Sequence, residues 1–231
     1  MTENIVIGVE GDVSSGKTSV CKELTKMIPN CIFADAGLIA RAIVGGVKKS
    51  PLAIPTLVKL LTGGNVEAVD LMKKLKIKFD IEDNQTVIYI KGKKIEEKNI
   101  QTEKNSTGVS KYTSKVNTDS LYKFARDIID KYRKDYNVIV SARDLVKIYP
   151  QMTTHIFITA SIEERVKRRY KQFNGKYSKK EIKQTIEKRD RMHEEAGYNQ
   201  KFDKTVVVDV TDCKTARESA EKVLNNIELK I

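Results

Sequence analysis

The segment "GDVSSGKT" has the residue types and the spacing of a phosphate-binding loop. It matches the pattern G-x-x-x-x-G-K-[ST], and the matching residues are Gly11, Gly16, Lys17 and Thr18. An apolar run from 5 to 9 precedes it, and Val20 and Leu24 follow it at helical spacing. The motif therefore falls between a predicted strand and a predicted helix, which is the context that such a loop requires.

The chemistry of a phosphate loop explains these residue types. Glycines let the backbone curl until successive N–H groups converge on a phosphate, and the helix N-terminus adds positive dipole there. Lys17 would bridge the β- and γ-phosphates of a nucleoside triphosphate, and the Thr18 hydroxyl would ligate Mg²⁺. The carboxylate of Asp12 would repel the phosphates unless it points outward. The predicted donor-binding residues are Gly11, Asp12, Val13, Ser14, Ser15, Gly16, Lys17 and Thr18.

Length and composition limit the class of protein. The 231 residues suffice for one sizeable core with insertions. No run reaches the ~18 apolar residues that span a bilayer, and no signal-peptide pattern stands at the N-terminus. Three cysteines match no metal-site spacing, which favours small buried side chains in a reducing compartment. We therefore expect a cytoplasmic protein that is not inserted in a membrane.

Positive charge is concentrated in one segment. The net charge is +12, and residues 161–191 hold 12 Lys or Arg against 5 Asp or Glu. Such a segment is typical of a solvated helix face or of a lid that closes over a triphosphate. Nucleic-acid binding is a further alternative, but only 6% of residues are aromatic and none is Trp, so stacking surfaces are scarce.

Apolar segments alternate with helical patterns along the chain. Five of them predict buried strands: "IVIGV", "CIFADAG", "NVIVSARD", "HIFITAS" and "TVVVDV". Residues 75–95 alternate with period two and predict a small antiparallel meander, with turns at Asp83-Asn84 and at Gly92. The sequence thus predicts one α/β domain over 1–231. It would have a parallel five-stranded sheet with helices on both faces, a small antiparallel β insert and a short basic lid at 161–191.

Arginines indicate what the triphosphate reacts with. Six of them stand at predicted strand ends or in the basic segment: Arg41, Arg143, Arg165, Arg168, Arg169 and Arg189. Two phosphorylated substrates repel each other, and the planar guanidinium fork suits phosphate oxygens. A phosphate acceptor is mostly deprotonated at neutral pH and needs no general base. The sequence shows no convincing Ser/His/Asp or Cys/His arrangement, so transfer of a phosphoryl group to a second phosphate is the favoured chemistry.

The same residues resemble bacterial cytidylate kinases. "IVIGVEGDVSSGKTSVCKEL", "FADAGLIAR", the meander, "SARD", "IFITASIEERVKRR" and "IEKRD" follow the order and spacing of that family over nearly the whole chain. The resemblance implies a P-loop kinase that transfers the γ-phosphoryl group of ATP, with Mg²⁺, to CMP or dCMP. It also implies a nucleoside-monophosphate-binding insert at 45–111. We expect nucleotides as the only partners and a monomeric protein.

The resemblance also implies roles for single residues. The acceptor site would contain Asp35, Gly37 and Arg41; Arg143 and Arg189 would hold the acceptor phosphate, and Ser110 with Asp144 would face the base. Arg165, Arg168 and Arg169 resemble the lid arginines that approach the ATP phosphates, with Arg168 on the donor side. The implied catalytic residues are Lys17, Arg143, Arg165, Arg169 and Arg189.

Several positions depart from the family pattern. Ser141-Ala142-Arg143-Asp144 stands where the family has Asp-Gly-Arg-Asp, so a strand-end carboxylate that would organise magnesium is absent. The other departures, at acceptor-side positions, are Ala36, Ala40, Asp119, His193 and Ala196. They affect base and sugar selection more than phosphate handling. Two alternatives therefore stay open: a kinase of the same fold for another small phosphorylated acceptor, and a degenerate nucleotide-binding protein without kinase activity.

Overall fold

Strands and helices alternate in the computed structural model, which describes residues 4–48, 68–102, 104–106, 108–109, 119–198 and 200–228. The strands are β1 Val6–Gly11, β2 Cys31–Asp35, β3 Ile77–Glu82, β4 Gln85–Ile90, β5 Lys93–Ile95, β6 Asn137–Ser141, β7 Thr154–Thr159 and β8 Val206–Asp209. The helices are α1 Lys17–Met27, α2 Ala36–Lys48, α3 Ala68–Leu75, α4 Glu97–Ile100, α5 Asp119–Tyr132, α6 Leu145–Ile148, α7 Ile162–Gln172, α8 Lys179–Glu195 and α9 Ala216–Asn225. Part of the predicted insert at 45–111, including Ser110, lies outside the described residues.

Five parallel strands form the centre of the sheet. Their order is β2-β6-β1-β7-β8, and Ile7 of β1 pairs with Ile139 of β6 on one side and with Thr154 of β7 on the other. The predicted five-stranded parallel sheet is confirmed. Parallel strands are covered on both faces, which explains their continuous apolar sequences. The carboxyl ends of β1, β2 and β6 meet at one edge, where α/β proteins bind ligands.

The antiparallel meander extends this sheet instead of forming a separate unit. Strand β4 pairs in parallel with β2 through Phe33 and Gln85, so the sheet has eight strands over the described residues. The Phe33 N–H donates to the Asn84 carbonyl at 2.8 Å, and the Thr86 hydroxyl donates to the Phe33 carbonyl at 2.9 Å. A free edge of β2 would leave these backbone groups without partners, so the predicted antiparallel insert continues the main sheet through β4.

Two helical layers cover the sheet because its side chains alternate between the faces. On one face, Val9 of β1 packs in a buried cluster with Leu24 of α1 and Val223 of α9. On the other, Val6 of β1 lies in a cluster with Ile129 of α5 and Tyr149. Burial of each large apolar side chain contributes about 1.5–3 kcal/mol. These layers hold the strand ends rigidly, so the side chains that follow the strands are fixed in place.

Helices α7 and α8 form a hairpin, called here the α7–α8 hairpin. Ser161 caps α7 by accepting from the Glu164 N–H, and Ser178 and Glu181 form a capping box at the start of α8. Its buried residues Val166, Ile182 and Ile186 cluster with Val13 of the phosphate loop. The basic segment thus packs directly against the predicted donor site.

The remaining sequence-level expectations concern membranes and cysteines. Within the described ranges no helix is long and apolar enough to cross a membrane. Cys21 and Cys31 are buried, Cys213 is half-buried, and all three are free thiols. The expectation of buried cysteines is confirmed for Cys21 and Cys31.

Candidate active site

The phosphate loop connects β1 to α1, as predicted. Gly11 has φ +147°, and a Cβ there would lie 2.0 Å from the Ile158 carbonyl oxygen, so only glycine fits beside β7. Helix α1 begins at Lys17, directly after Gly16, whose φ of +99° also favours glycine. The loop therefore lies at the positive end of a helix dipole.

Lys17 folds back over the loop. Its Nζ donates to the Gly11 carbonyl at 2.7 Å and to the Asp12 carbonyl at 2.6 Å. The pKa of Lys17 is lowered to about 7, mainly by burial and also by the nearby cations Arg143 and Arg189, while the charge of Asp12 opposes the shift. This ammonium is held in place at the point where a triphosphate would bind.

Asp12 does not place its carboxylate in the anion cradle. Its Oδ2 accepts from the Thr159 hydroxyl at 2.5 Å, and its N–H donates to the Ile158 carbonyl at 3.1 Å. Only its backbone oxygen faces Lys17. The repulsion expected from the sequence is avoided because the end of β7 engages the side chain.

Arg165 and Asp190 hold the phosphate loop from the α7–α8 hairpin. Arg165 Nη1 donates to Asp190 Oδ2 at 2.6 Å and to the Val13 carbonyl at 3.3 Å, while Asp190 Oδ1 accepts from the Val13 N–H at 3.3 Å. Both backbone groups of Val13 are thus bound by one ion pair. This partnership could not be predicted from the sequence, since Arg165 and Asp190 are 25 positions apart.

Arg168 joins the loop to the segment after β8. Its Nη1 donates to the Ser15 carbonyl and its Nη2 to the Val210 carbonyl, each at 2.7 Å, and its Nε lies 3.2 Å from Glu164 Oε1. Arg168 therefore supports the backbone that surrounds the donor site. The side chain of Arg169 has different surroundings from that of Arg168. Its guanidinium lies 4.4 Å from the centre of the Phe173 ring, and Arg169 lines the cleft above the phosphate loop.

A cleft of about 580 Å³ opens over the phosphate loop. Apart from the loop, its walls carry cations from several elements: Lys22 of α1, Arg169 and Lys171 of α7, Arg189 of α8, and Lys214 just before α9. Within the described residues, the buried hydroxyl oxygens of Ser14 and Ser15 have no hydrogen-bond partner. Cation-rich walls and unpartnered donors suit a polyanionic ligand of nucleotide size.

A second cavity of about 180 Å³ lies beside the cleft, at the ends of β2 and β6. Its polar lining includes Asp35, Ser141 and Tyr198. Its apolar lining comes largely from α2 and α5: Ile39, Ala40, Ile43, Ala125 and Ile128. The two cavities share four lining residues, Lys17, Thr18, Arg41 and Arg143. The sequence-predicted donor and acceptor residues are therefore brought together at one junction.

Asp35 is buried at the end of β2. Its Oδ1 accepts from the Leu38 N–H at 2.8 Å, and its Oδ2 forms an ion pair with Arg41 Nη2 at 3.6 Å. Burial raises the pKa of Asp35, and Arg41 opposes this shift. Gly37 makes the approach feasible, because a Cβ there would lie 3.1 Å from both Asp35 Oδ1 and Arg41 Nη1.

The charges of Arg143 and Arg189 interact, but Arg143 lines both cavities whereas Arg189 lines the donor cleft. The pKa of Arg143 is lowered to about 9, mainly by burial and also by the positive charges of Arg189 and Arg41. His193 lies buried in the same region, and its pKa is far below the ordinary value because of burial, with further contributions from Arg143 and Arg189. The histidine is therefore neutral at physiological pH.

Asp144 is buried behind Arg143 and begins helix α6. Its φ of +61° is left-handed, its Oδ2 accepts from the Tyr122 hydroxyl at 2.5 Å, and it forms an ion pair with Lys147 at 3.2 Å. Its Oδ1 has no hydrogen-bond partner among the described residues. Its proposed partner in facing a base, Ser110, lies outside the described residues.

A buried network supports the Arg143–Asp144 loop, and sequence reasoning missed it. Glu10 Oε1 accepts from the Leu145 N–H at 3.2 Å, and Glu10 Oε2 lies 2.9 Å from His155 Nε2. His155 Nδ1 in turn contacts the Thr205 hydroxyl at 2.8 Å. A carboxylate inside the apolar run of β1 was the signal available, because buried charges are paired.

Comparisons with known proteins agree with this geometry. The family model for cytidylate kinase matches residues 7–229. The cytidylate kinase of Borreliella burgdorferi (strain ZS7) is 27% identical over 229 residues, covering 98% of both chains. That of Listeria monocytogenes serotype 4b (strain CLIP80459) is 27% identical over 240 residues, covering 100% of this chain and 99% of the other.

A third relative has a similar identity and coverage. The cytidylate kinase of Aquifex aeolicus (strain VF5) is 28% identical over 234 residues, covering 97% of this chain and 94% of the other. The family match extends across the sheet, the phosphate loop and the α7–α8 hairpin. The chain belongs to the cytidylate kinase family and is a nucleoside monophosphate kinase.

Proposed function

We propose that this enzyme transfers the γ-phosphoryl group of ATP to CMP or dCMP. The observation that carries the proposal is the junction of a large cationic cleft with a small, partly apolar cavity at Lys17, Thr18, Arg41 and Arg143. A phosphoryl group that passes between two bound nucleotides needs such a junction, with fixed cations around it.

The donor cleft binds ATP in this proposal. The N–H groups of the loop and the start of α1 hold the β-phosphate, while Lys17 leaves its own loop carbonyls for the β- and γ-phosphate oxygens. Arg169 and Arg189 line the cleft and add charge near the triphosphate. Arg165 and Arg168 act through the backbone, because they hold the carbonyls of Val13 and Ser15.

Mg²⁺ is the expected cofactor. When bound, it neutralises charge on the phosphate oxygens. Thr18 at the first turn of α1 would hold it, together with phosphate oxygens and water. No group of three or more His, Cys, Asp or Glu suited to a metal occurs among the described residues. The Thr18 hydroxyl with phosphate oxygens and water fits Mg²⁺, because this ion keeps several of its waters and needs no dedicated cage of protein ligands.

The acceptor phosphate lies at Arg41 and Arg143 in this proposal. Its oxygen attacks the γ-phosphorus, the bond from that phosphorus to the β–γ bridging oxygen breaks, and ADP leaves. The acceptor phosphate is mostly dianionic at neutral pH, so no protein group has to remove a proton. The arginines offset the repulsion between two anions, and positioning supplies the remaining rate enhancement.

The lining of the acceptor cavity favours a second candidate acceptor. Much of its wall away from the arginines is apolar, formed by Ile39, Ile43, Ala125 and Ile128. A cytosine presents donors and acceptors that an apolar wall cannot satisfy. Another nucleoside monophosphate, or a smaller phosphorylated compound, is the alternative that this wall supports.

A coupled assay of ADP release tests both candidates. It compares all ribo- and deoxyribonucleoside monophosphates at fixed MgATP, with inorganic phosphate and water as blanks. We expect the highest kcat/KM with CMP or dCMP. Highest activity with another nucleoside monophosphate would select the second candidate, and no activity above the blanks would contradict the phosphorylation of any nucleoside monophosphate.

Lys17→Ala serves as the control for the phosphate loop. Removal of one transition-state cation typically costs ~10²-fold or more in rate. We expect at least that loss, with an unchanged circular dichroism spectrum. Near-normal turnover by this variant would exclude the loop from the reaction.

A further inference from the structure

The strand beside the phosphate loop lacks the carboxylate that accompanies a loop of this type. Phosphate-loop enzymes hold Mg²⁺ with the loop hydroxyl and a strand-end aspartate. Here β6 pairs with β1 and ends in Ser141, a neutral residue that is 7% exposed. A magnesium site at the end of β6 would therefore lack one negative charge.

The next strand supplies a carboxylate at the same level. Asp35 is the last residue of β2, and in the parallel ladder it is the direct partner of Ser141, which is itself the partner of Val9 in β1. Neighbouring strands are about 4.8 Å apart. Asp35 thus lies one strand further from the loop and at the same height along the sheet.

One oxygen of Asp35 is available to a ligand. The residue is 4% exposed, yet its Oδ2 has no hydrogen-bond partner within the described part of the chain. The only ion pair described for this oxygen, with Arg41, is long at 3.6 Å. Asp35 lines the acceptor cavity together with Lys17 and Thr18. A buried carboxylate oxygen in this state, beside the hydroxyl that would ligate Mg²⁺, is a site for a cation.

The backbone fixes Asp35 in this position. Its N–H donates to the Thr86 hydroxyl at 3.0 Å, and its Oδ1 accepts from the Leu38 N–H at 2.8 Å. Thr86 of β4 and the first turn of α2 therefore both hold Asp35 in place. A carboxylate held by two elements costs little to orient when a metal arrives.

We propose that Asp35 replaces the missing strand-end carboxylate of β6 and organises the Mg²⁺ of MgATP through a metal-bound water. The inference rests on the proposed use of ATP with Mg²⁺. Contact through water suits both the extra strand of separation and the tendency of Mg²⁺ to keep its waters. Arg41, which pairs with Asp35, then connects the metal site to the acceptor phosphate.

The test measures ATP binding by isothermal titration calorimetry without any acceptor, in excess Mg²⁺ and in EDTA. Asp35→Asn removes the charge and keeps an oxygen for the Leu38 N–H. We expect the factor by which Mg²⁺ raises ATP affinity to fall about tenfold or more, because outer-shell partners typically contribute 10–100-fold to metal affinity. Affinity in EDTA should be unchanged or higher, since a negative charge has gone.

Asp127→Asn is the matched control, because Asp127 is exposed on α5 and pairs with Lys123 on the surface. In Asp127→Asn, the factor by which Mg²⁺ raises ATP affinity should equal that of the wild type. Asp35→Asn combined with Ser141→Asp returns a carboxylate to β6 and should restore the Mg²⁺ effect. Circular dichroism checks that each variant is folded.

Two results would overturn the inference: an equal Mg²⁺ factor in wild type and in Asp35→Asn, or a double variant that folds but does not recover the factor. The second would mean that Asp35 acts on the local structure instead of on the metal. Binding is measured without acceptor, so a wild-type protein that phosphorylates no nucleoside monophosphate would contradict the proposed function and leave this test intact.

Discussion

Arg165 donates to Asp190 at 2.6 Å, and the two side chains bind the carbonyl and the N–H of Val13 between them. The pair links α7, α8 and the phosphate loop. Arg165 is therefore bonded to the backbone of the loop. These hydrogen bonds suggest two testable roles for Arg165: support of the loop backbone, or direct contact with ATP.

We predict that Arg165→Ala and Asp190→Ala each raise the KM for ATP by about tenfold, as expected when one charged hydrogen-bonding partner is lost. The double variant should be no worse than either single one, because both changes break the same clamp. Glu195→Ala, an exposed carboxylate on the same helix, is the control. If Arg165→Ala is harmful while Asp190→Ala is not, then Arg165 acts on ATP directly.

The pH dependence of ATP use should reflect Lys17. Its pKa of about 7 means that the ammonium is lost as pH rises through that value. Since kcat/KM reports the free enzyme, kcat/KM for ATP should decline by up to tenfold per pH unit above about 7. Lys17→Arg keeps its charge and should give a flat profile over that range. Equal profiles for both proteins would show that another group controls the pH effect.

The lowered pKa of Lys17 also predicts that the free energy of unfolding depends on pH. Between about 7 and the ordinary value of 10.5, the unfolded chain binds a proton at Lys17 that the folded chain does not. The free energy of unfolding contributed by this group therefore rises with pH across that interval. Relative to Lys17→Met, the wild type should gain stability from about pH 6 to pH 9, measured by urea unfolding without nucleotide. A constant difference would contradict the lowered pKa.

The sequence predicted those features that depend on neighbours along the chain. The loop from Gly11 to Thr18, the buried parallel strands and the Asp83-Asn84 turn follow from local patterns, and all are present. Features that join distant segments were not predictable in this way. Thr86 meets β2 because a strand edge needs partners, and the Glu10 carboxylate meets His155 only through the fold.

The candidate site likewise combines features that could be predicted from the sequence with features that depend on the fold. The sequence placed Lys17 and Arg143 in one reaction centre, and both line the junction of the two cavities. It assigned Arg168 to ATP, whereas the hydrogen bonds of Arg168 go to carbonyls of Ser15 and Val210. Residue type and strand position predict the neighbourhood of an arginine, but its partners depend on packing across the α7–α8 hairpin.

Arg143→Lys should impair the enzyme although it keeps a positive charge. A lysine ammonium cannot make the forked contact that a guanidinium makes with phosphate oxygens. We expect kcat/KM for the acceptor to fall by about tenfold or more, corresponding to roughly 1.4 kcal/mol, with little change in ATP affinity. Arg126→Lys, away from both cavities on α5, is the control. A loss confined to ATP affinity would place Arg143 on the donor side.

The last prediction concerns sugar selection and the residue at position 193, His193. The resemblance to cytidylate kinases aligns it with an aspartate that binds the ribose. In the structure His193 is 2% exposed near Arg143 and Arg189, and its pKa is strongly lowered, so the ring is neutral. A neutral imidazole is a weaker, tautomer-dependent acceptor for a ribose hydroxyl than a carboxylate.

A site that bonds a substrate hydroxyl rejects the analogue without it, because its own polar group is then left unpaired. A site without a strong partner loses little when the hydroxyl is absent. We therefore predict that kcat/KM for CMP and for dCMP differ by no more than about tenfold, roughly 1.4 kcal/mol. His193→Asp should increase the preference for CMP, because the two arginines would keep the new carboxylate ionised beside the sugar. A strong preference for CMP in the wild type would mean that another carboxylate, such as Asp190 or Glu194, binds the ribose.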